Sequence, residues 1–269
     1  LKDPFFGATR AIALNTFREV SRDKIVYAFF AFAIGLLIFG QVLGSLSIGQ
    51  QVRIIQDIGL AAIDLIGSAI AIFAGANLLY KERERGTIQF VFSKPVGAAQ
   101  YVVGKFAGIS ACLGVLVVLM SIWLYLMLIF ATGPIDTSAT GALFCNLACA
   151  AALTYAEIAF VVAMSIFFAC FTSPLMSVVF TLALWIAAHA NASLLAAARL
   201  NPTLATAKLL QGAYWLLPDL ETATKIRSSL IAGILCDATV LSGALAYLAC
   251  YTAILLAVSS MVTDRREHA

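Results

Sequence analysis

Glu157, Asp64 and His189 are ionisable residues set in otherwise apolar stretches. Between Thr137 and Ala198 Glu157 is the only Asp, Glu, Lys or Arg, and between Ile58 and Tyr80 Asp64 is the only one. An ionised side chain at the centre of a bilayer costs about 2.5–3.5 kcal/mol or more, so such residues are kept for a purpose. One purpose is a path for a substrate or cation. The other is a protonated or paired acid that ties neighbouring helices together, for Glu157 at the level of Tyr155 or His189 and for Asp64 with a polar group such as Arg53. His189 adds an imidazole, the side chain most used for handling protons, although a lone His more often packs as a hydrogen-bonded residue. No Gly-x-Ser-x-Gly, His-x-x-Glu-His or paired Glu-Glu accompanies them, so neither a catalytic set nor a metal site is expected.

The six cysteines include no Cys-x-x-Cys pair. Cys145 and Cys149 share a helix face, a spacing that raises a metal or redox site. Small packing residues in lipid-buried helices account for them more simply. Cys236 is the one cysteine in a segment expected to meet water.

The elements that position these residues follow from composition. The 269 residues are 62% hydrophobic and 12% charged, with a mean hydropathy of +0.98. Soluble domains average about 45–50% apolar and about 25% charged residues. A bilayer can take up so much apolar surface, and each crossing helix needs roughly 20 mostly apolar residues. The formal charge of +3 is small and gives no reason to expect a nucleic-acid partner.

Runs free of charge except for Asp64 and Glu157 mark six spans. They fall at about Ile25–Leu46, Ile58–Tyr80, within Phe106–Ile135, Ala142–Phe171, Met176–Ala197 and Ala238–Thr263. The fourth and fifth share one apolar stretch too long for a single crossing, and Thr172-Ser173-Pro174 is the expected break. Residues 1–24 resemble the basic start of a signal peptide but are expected as a retained helix. Phe5, Ala8, Ile12 and Phe17 recur near helical spacing, as expected of an interfacial helix on the membrane surface, and the apolar run that follows is longer than that of a signal peptide. The fold class is therefore an all-α integral membrane protein, a single domain over residues 1–269.

Lys and Arg orient the spans, because they concentrate in cytoplasmic loops. With both termini in the cytoplasm, only Arg53, Arg199, Lys208, Lys225 and Arg227 of the 17 basic residues fall outside. Four of those lie in the long outer loop, residues 198–237, where charge bias counts less. Within that loop Leu204–Leu217 and Ser228–Cys236 are apolar but too short to cross, and are expected as re-entrant or interfacial helices before span 6. Small residues at four-residue spacing (Gly40 and Gly44; Gly67, Ala71 and Gly75; Gly104 and Gly108) allow close helix approach, within the chain or along a homodimer seam.

Residues 81–100 form the most distinctive loop. A run of five charges, Lys81 to Arg85, carries the chain out of span 2, and Gly86 permits a turn. Ile88, Val91 and Phe92 then share one face of a short helix that Pro95 ends. Such a helix lies on lipid headgroups or seats in a groove of a partner.

The segment Glu82…Glu84-Arg85-Gly86-Thr87, with Phe92-Ser93-Lys94-Pro95-Val96 and Gly104-Lys105, resembles the first cytoplasmic loop of type-2 ABC exporter permeases. Tyr214…Leu217-Pro218-Asp219-Leu220 and Asp264-Arg265-Arg266-Glu267 also look like that family, and the resemblance runs along essentially the whole chain. Many relatives carry an Arg soon after the Pro-Val, where this chain has Gly97-Ala98-Ala99. The resemblance implies a transport subunit with no cofactor of its own, exporting a substrate that the sequence does not identify. ATP and Mg would belong to a separate ATPase subunit, two copies of which serve two permeases, here a homodimer in the cytoplasmic membrane of a bacterium. The absence of a Gly-x-x-x-x-Gly-Lys-Ser/Thr loop agrees with that division. By the same resemblance Glu84, Gly86, Thr87, Phe92 and Pro95, with the Ile88 and Val91 face, form the element that couples to the ATPase. Two other classes compete: an ion-coupled carrier or channel using Glu157, and an intramembrane enzyme built on Glu157 and His189.

The topology makes a direct prediction. A single cysteine placed at Arg83 should react with an impermeant thiol reagent only from the cytoplasmic side, whereas Cys236 should react from outside in intact cells. Equal labelling of position 83 from outside would overturn the orientation.

Overall fold

The computed structural model describes residues 4–46, 50–84, 97–132, 137–191, 218–233 and 238–267. Among these residues every regular element is a helix: α1 (Pro4–Ser21), α2 (Lys24–Ser45), α3 (Gln51–Glu84), α4 (Ala98–Thr132), α5 (Thr137–Ala169), α6 (Pro174–His189), α7 (Glu221–Ile231) and α8 (Ala238–Glu267). Five of them, α2, α3, α4, α5 and α8, are long and apolar enough to cross a bilayer. The fifth expected span is represented by α6, whose 16 residues reach only about 24 Å at 1.5 Å per residue. The remainder of that span, from residue 192, and the apolar run Leu204–Leu217 lie outside the described residues.

Local chemistry explains the breaks. Asp23 Oδ1 accepts a hydrogen bond from the amide of Ile25 at 3.0 Å and starts α2, as a short acidic side chain does at a helix N-cap. The expected break after α5 falls where Pro174 becomes the first residue of α6 and Ser173 is extended, the position where proline costs a helix nothing. Gly233, at φ 77°, closes α7 in the left-handed region, which glycine adopts without steric cost.

The bundle is built round α3 and α5. Helix α5 packs against α3, α4, α6, α7 and α8, and α3 also touches α2, α4, α6 and α7. The apolar windows of α3 and α5 are 67% and 61% buried against 11% for α8, so these two helices are the core and α8 is largely left to lipid or a partner. Glycines bring the pair together: Gly67 faces the Ile158 side chain, and Gly75 faces Ser165. Ser165 Oγ then donates to the Ile72 carbonyl at 2.9 Å. Where lipid replaces water, close packing of small residues and such interhelical hydrogen bonds supply the attraction.

The other small-residue stripes are also used inside the chain. Gly40 and Gly44 meet Ile58 and Ile55 across the α2–α3 contact. Gly104 and Gly108 admit α1, packed along the first turns of α4. A side chain at 108 would come within 2.6 Å of the Ala13 carbonyl oxygen, and one at 104 within 3.1 Å of the Thr9 carbonyl oxygen.

Because the obstacle at 108 is backbone, it cannot move aside as a side-chain tip can. Gly108→Ala should lower the thermal unfolding midpoint of the purified protein, at a cost of about 1–3 kcal/mol typical of overpacking. Gly35→Ala, in α2 with nothing within 4 Å of the added methyl, should leave the midpoint unchanged or raise it. Equal shifts for the two variants would remove the close approach of α1 and α4 from the account.

Candidate functional site

Four helices converge on one buried polar cluster. Helix α3 supplies Asp64, and α5 supplies Thr154 and Glu157, three residues apart and therefore on one face. His189 is the last residue of α6, and Arg227 comes from α7. Glu157 is 1% exposed, Asp64 6% and Arg227 7%, so the charges meet each other rather than solvent.

The guanidinium is the centre of the arrangement. Arg227 Nη2 donates to Asp64 Oδ2 at 3.1 Å. Its Nη1 donates to Glu157 Oε2 at 3.3 Å and to Thr154 Oγ1 at 3.1 Å. A planar guanidinium suits this bridging role because its donors point outward in a fixed fork. Thr154 passes its own proton to the Ala150 carbonyl at 3.0 Å, which leaves its oxygen free to accept from Arg227. His189 Nδ1 lies 3.0 Å from the Trp185 carbonyl. A carbonyl only accepts, so Nδ1 carries a hydrogen and Nε2 is the atom turned to Asp64 Oδ2, 4.0 Å away. Asp64 Oδ1 and Glu157 Oε1 are buried and receive no hydrogen bond, so the cluster holds more acceptor capacity than donors.

Asp64, Glu157 and His189 are thus brought to one place. Their partners differ from the simplest expectations. Arg53 lies 3.9 Å from Asp57, one turn away on its own helix, whereas Asp64 is held by Arg227. Tyr155 turns from Glu157 and donates to the Ser110 carbonyl at 3.3 Å. Cys145 and Cys149 carry no disulfide. Among the described residues no group of three His, Cys, Asp or Glu is placed to hold a metal ion.

Of the coupling residues, Glu84 ends α3, and Gly86, Thr87, Ile88, Val91, Phe92 and Pro95 lie outside the described residues, as does Cys236. Arg227 was hidden among the basic residues of the outer loop. Its signal is positional. Ala223, Ile226, Arg227 and Leu230 are all buried at the spacing of one helix face, so an arginine stands in an apolar stripe, while Lys225 points to Glu221 at 2.9 Å.

Residues 10–208 match the family described as ABC-2 family transporter protein. The chain belongs to that family. ABC-2 chains are the membrane components of transporters, not catalysts themselves, and in general they work with an ABC ATPase. This ABC-2 chain is accordingly a multi-pass membrane protein. Its Asp64, Glu157 and His189 fall within the matched residues and Arg227 beyond them. No curated protein matches the chain.

Removing the guanidinium should strand two carboxylates. Arg227→Met should destabilise the purified protein by about 3–5 kcal/mol, the cost of breaking a buried ion pair from one side. Adding Asp64→Asn and Glu157→Gln to that variant should recover more than half of the loss, read as the thermal unfolding midpoint. A triple variant no more stable than Arg227→Met would mean that Arg227 acts by packing and not by charge.

Proposed function

We propose that this chain is the permease subunit of an ABC exporter with six crossings in the cytoplasmic membrane of a bacterium and both termini inside. Two copies pair over two ATPase subunits, which bind ATP and Mg, and the substrate leaves the cell on their cycle. The observation that carries this proposal is the family membership over residues 10–208, joined by the lack of any phosphate-binding loop in the sequence. On this reading Leu204–Leu217 and α7 belong to an outer re-entrant region before the last crossing. Asp64, Glu157 and His189 stand beside the translocation path, with Arg227 as their counter-ion.

The intramembrane-enzyme alternative finds little support at the cluster, since the Thr154 hydroxyl is committed to Ala150 and Arg227. The ion-coupled carrier leaves the charged loop after α3 without a role. That loop is the expected transmission element: α3 runs unbroken to Glu84, and Gly86, Thr87, Ile88, Val91, Phe92 and Pro95 follow directly.

Co-purification with an ABC ATPase, followed by transport per ATP hydrolysed, tests the proposal. Phe92→Ala should reduce the ATPase retained on the permease or uncouple hydrolysis from transport, because truncating a docked aromatic anchor often costs about 2 kcal/mol or more. Membrane insertion should be unaffected. If both measurements stay at the wild-type values, the residue 81–100 loop lies on lipid and the coupling assignment fails.

A further inference from the structure

Helices α7 and α8 enclose a cleft of about 440 Å³, within the roughly 300–1,000 Å³ common for small-molecule sites. Its wall on α8 carries Tyr247 and Tyr251, whose rings lie 4.8 Å apart. Asp219, just before α7, and Thr222 on α7 line it as well, with Asn191 and Ile226. The rest of the described lining is aliphatic, and no Lys, Arg or His is part of it.

The one ionisable carboxylate of the described lining is Asp219. Asp219 Oδ1 accepts from the Thr222 amide at 3.1 Å and Oδ2 from the Thr222 hydroxyl at 2.6 Å. Both donors are neutral, so the negative charge is not cancelled by them. Of the basic residues of α7, Lys225 is bound to Glu221 and Arg227 to Asp64 and Glu157. The Tyr247 hydroxyl accepts from the Asp219 amide at 3.1 Å. Asn191 is 1% exposed, and its Oδ1 has no donor. A carboxylate and two tyrosine rings in an otherwise apolar cleft are matched by one kind of ligand. Aromatic faces attract cations through the ring quadrupole, more strongly where water is excluded.

We propose that this cleft binds an organic cation, a molecule with an apolar body and a positively charged head. Its identity as the transported substrate rests on the permease function proposed above, whereas binding itself needs no ATPase.

The test uses the full chain in nanodiscs of zwitterionic lipid, with tetraphenylphosphonium and tetraphenylborate as probes of nearly equal shape and opposite charge. Equilibrium dialysis should show saturable binding of the cation and at least about fivefold weaker binding of the anion. Asp219→Asn keeps the oxygen that caps α7 but removes the charge, and should weaken cation binding by about fivefold. Tyr251→Ala should weaken it similarly, and Tyr251→Phe, which keeps the aromatic face, should bind as the wild type does. Equal affinity for the two probes, or an Asp219→Asn variant indistinguishable from wild type, would reduce the cleft to an apolar partition site and overturn the proposal. ATPase retention measured on the same preparations reports on the permease function separately.

Discussion

Hydrocarbon offers a buried charge no water, and two carboxylates among crossing helices stay ionised only where a counter-charge is brought to them. Here that counter-charge is Arg227, shared between Asp64 and Glu157. No described span holds a basic residue at that place, so it arrives on a short helix, α7, between α6 and α8. Much else follows from this need. Asp219 and Thr222 start α7 and Gly233 ends it, which keeps it to 11 residues. Isolated helices of that length are marginal in water, and α7 persists because Ala223, Ile226 and Leu230 are buried on either side of the guanidinium.

The same need fits the packing of α3 on α5. Gly67 lies one turn beyond Asp64, and the side chain it faces is Ile158, the neighbour of Glu157. A larger residue at 67 would displace the Ile158 side chain at the level where one guanidinium reaches both acids. Close packing and charge neutralisation are thus a single arrangement at this height. Ser165, hydrogen-bonded to the Ile72 carbonyl, continues the contact farther along.

Much of the architecture was legible in the order of charges. Apolar runs with at most one charged residue located α2, α4, α5 and α8 and the body of α3, and Thr172-Ser173-Pro174 located the break before α6. The helix ends were less legible, since a helix continues past the hydrocarbon edge. Helix α3 begins at Gln51 and not near Ile58 because Arg53 and Asp57 make a helical turn comfortable in water. Asp64, Glu157 and His189 stood out because ionisable groups in apolar runs are conspicuous. Their common partner did not, because Arg227 is 163 residues from Asp64, and periodicity describes one helix face at a time. Only the apolar stripe in which Arg227 sits carried the hint.

Helix α3 has a further mechanical consequence. It is unbroken from Asp64 to Glu84, so the carboxylate and the entrance to the 81–100 loop are the two ends of one rod about 30 Å long at 1.5 Å per residue. Pivoted at the loop end, a tilt of about 5° carries the Asp64 end sideways by about 2.5 Å on that length. The bond from Arg227 to Asp64 is 3.1 Å long, and a stretch of that size breaks it. A helix with a flexible joint between the two points would absorb such a displacement. Helix α3 has no such joint between Asp64 and Glu84.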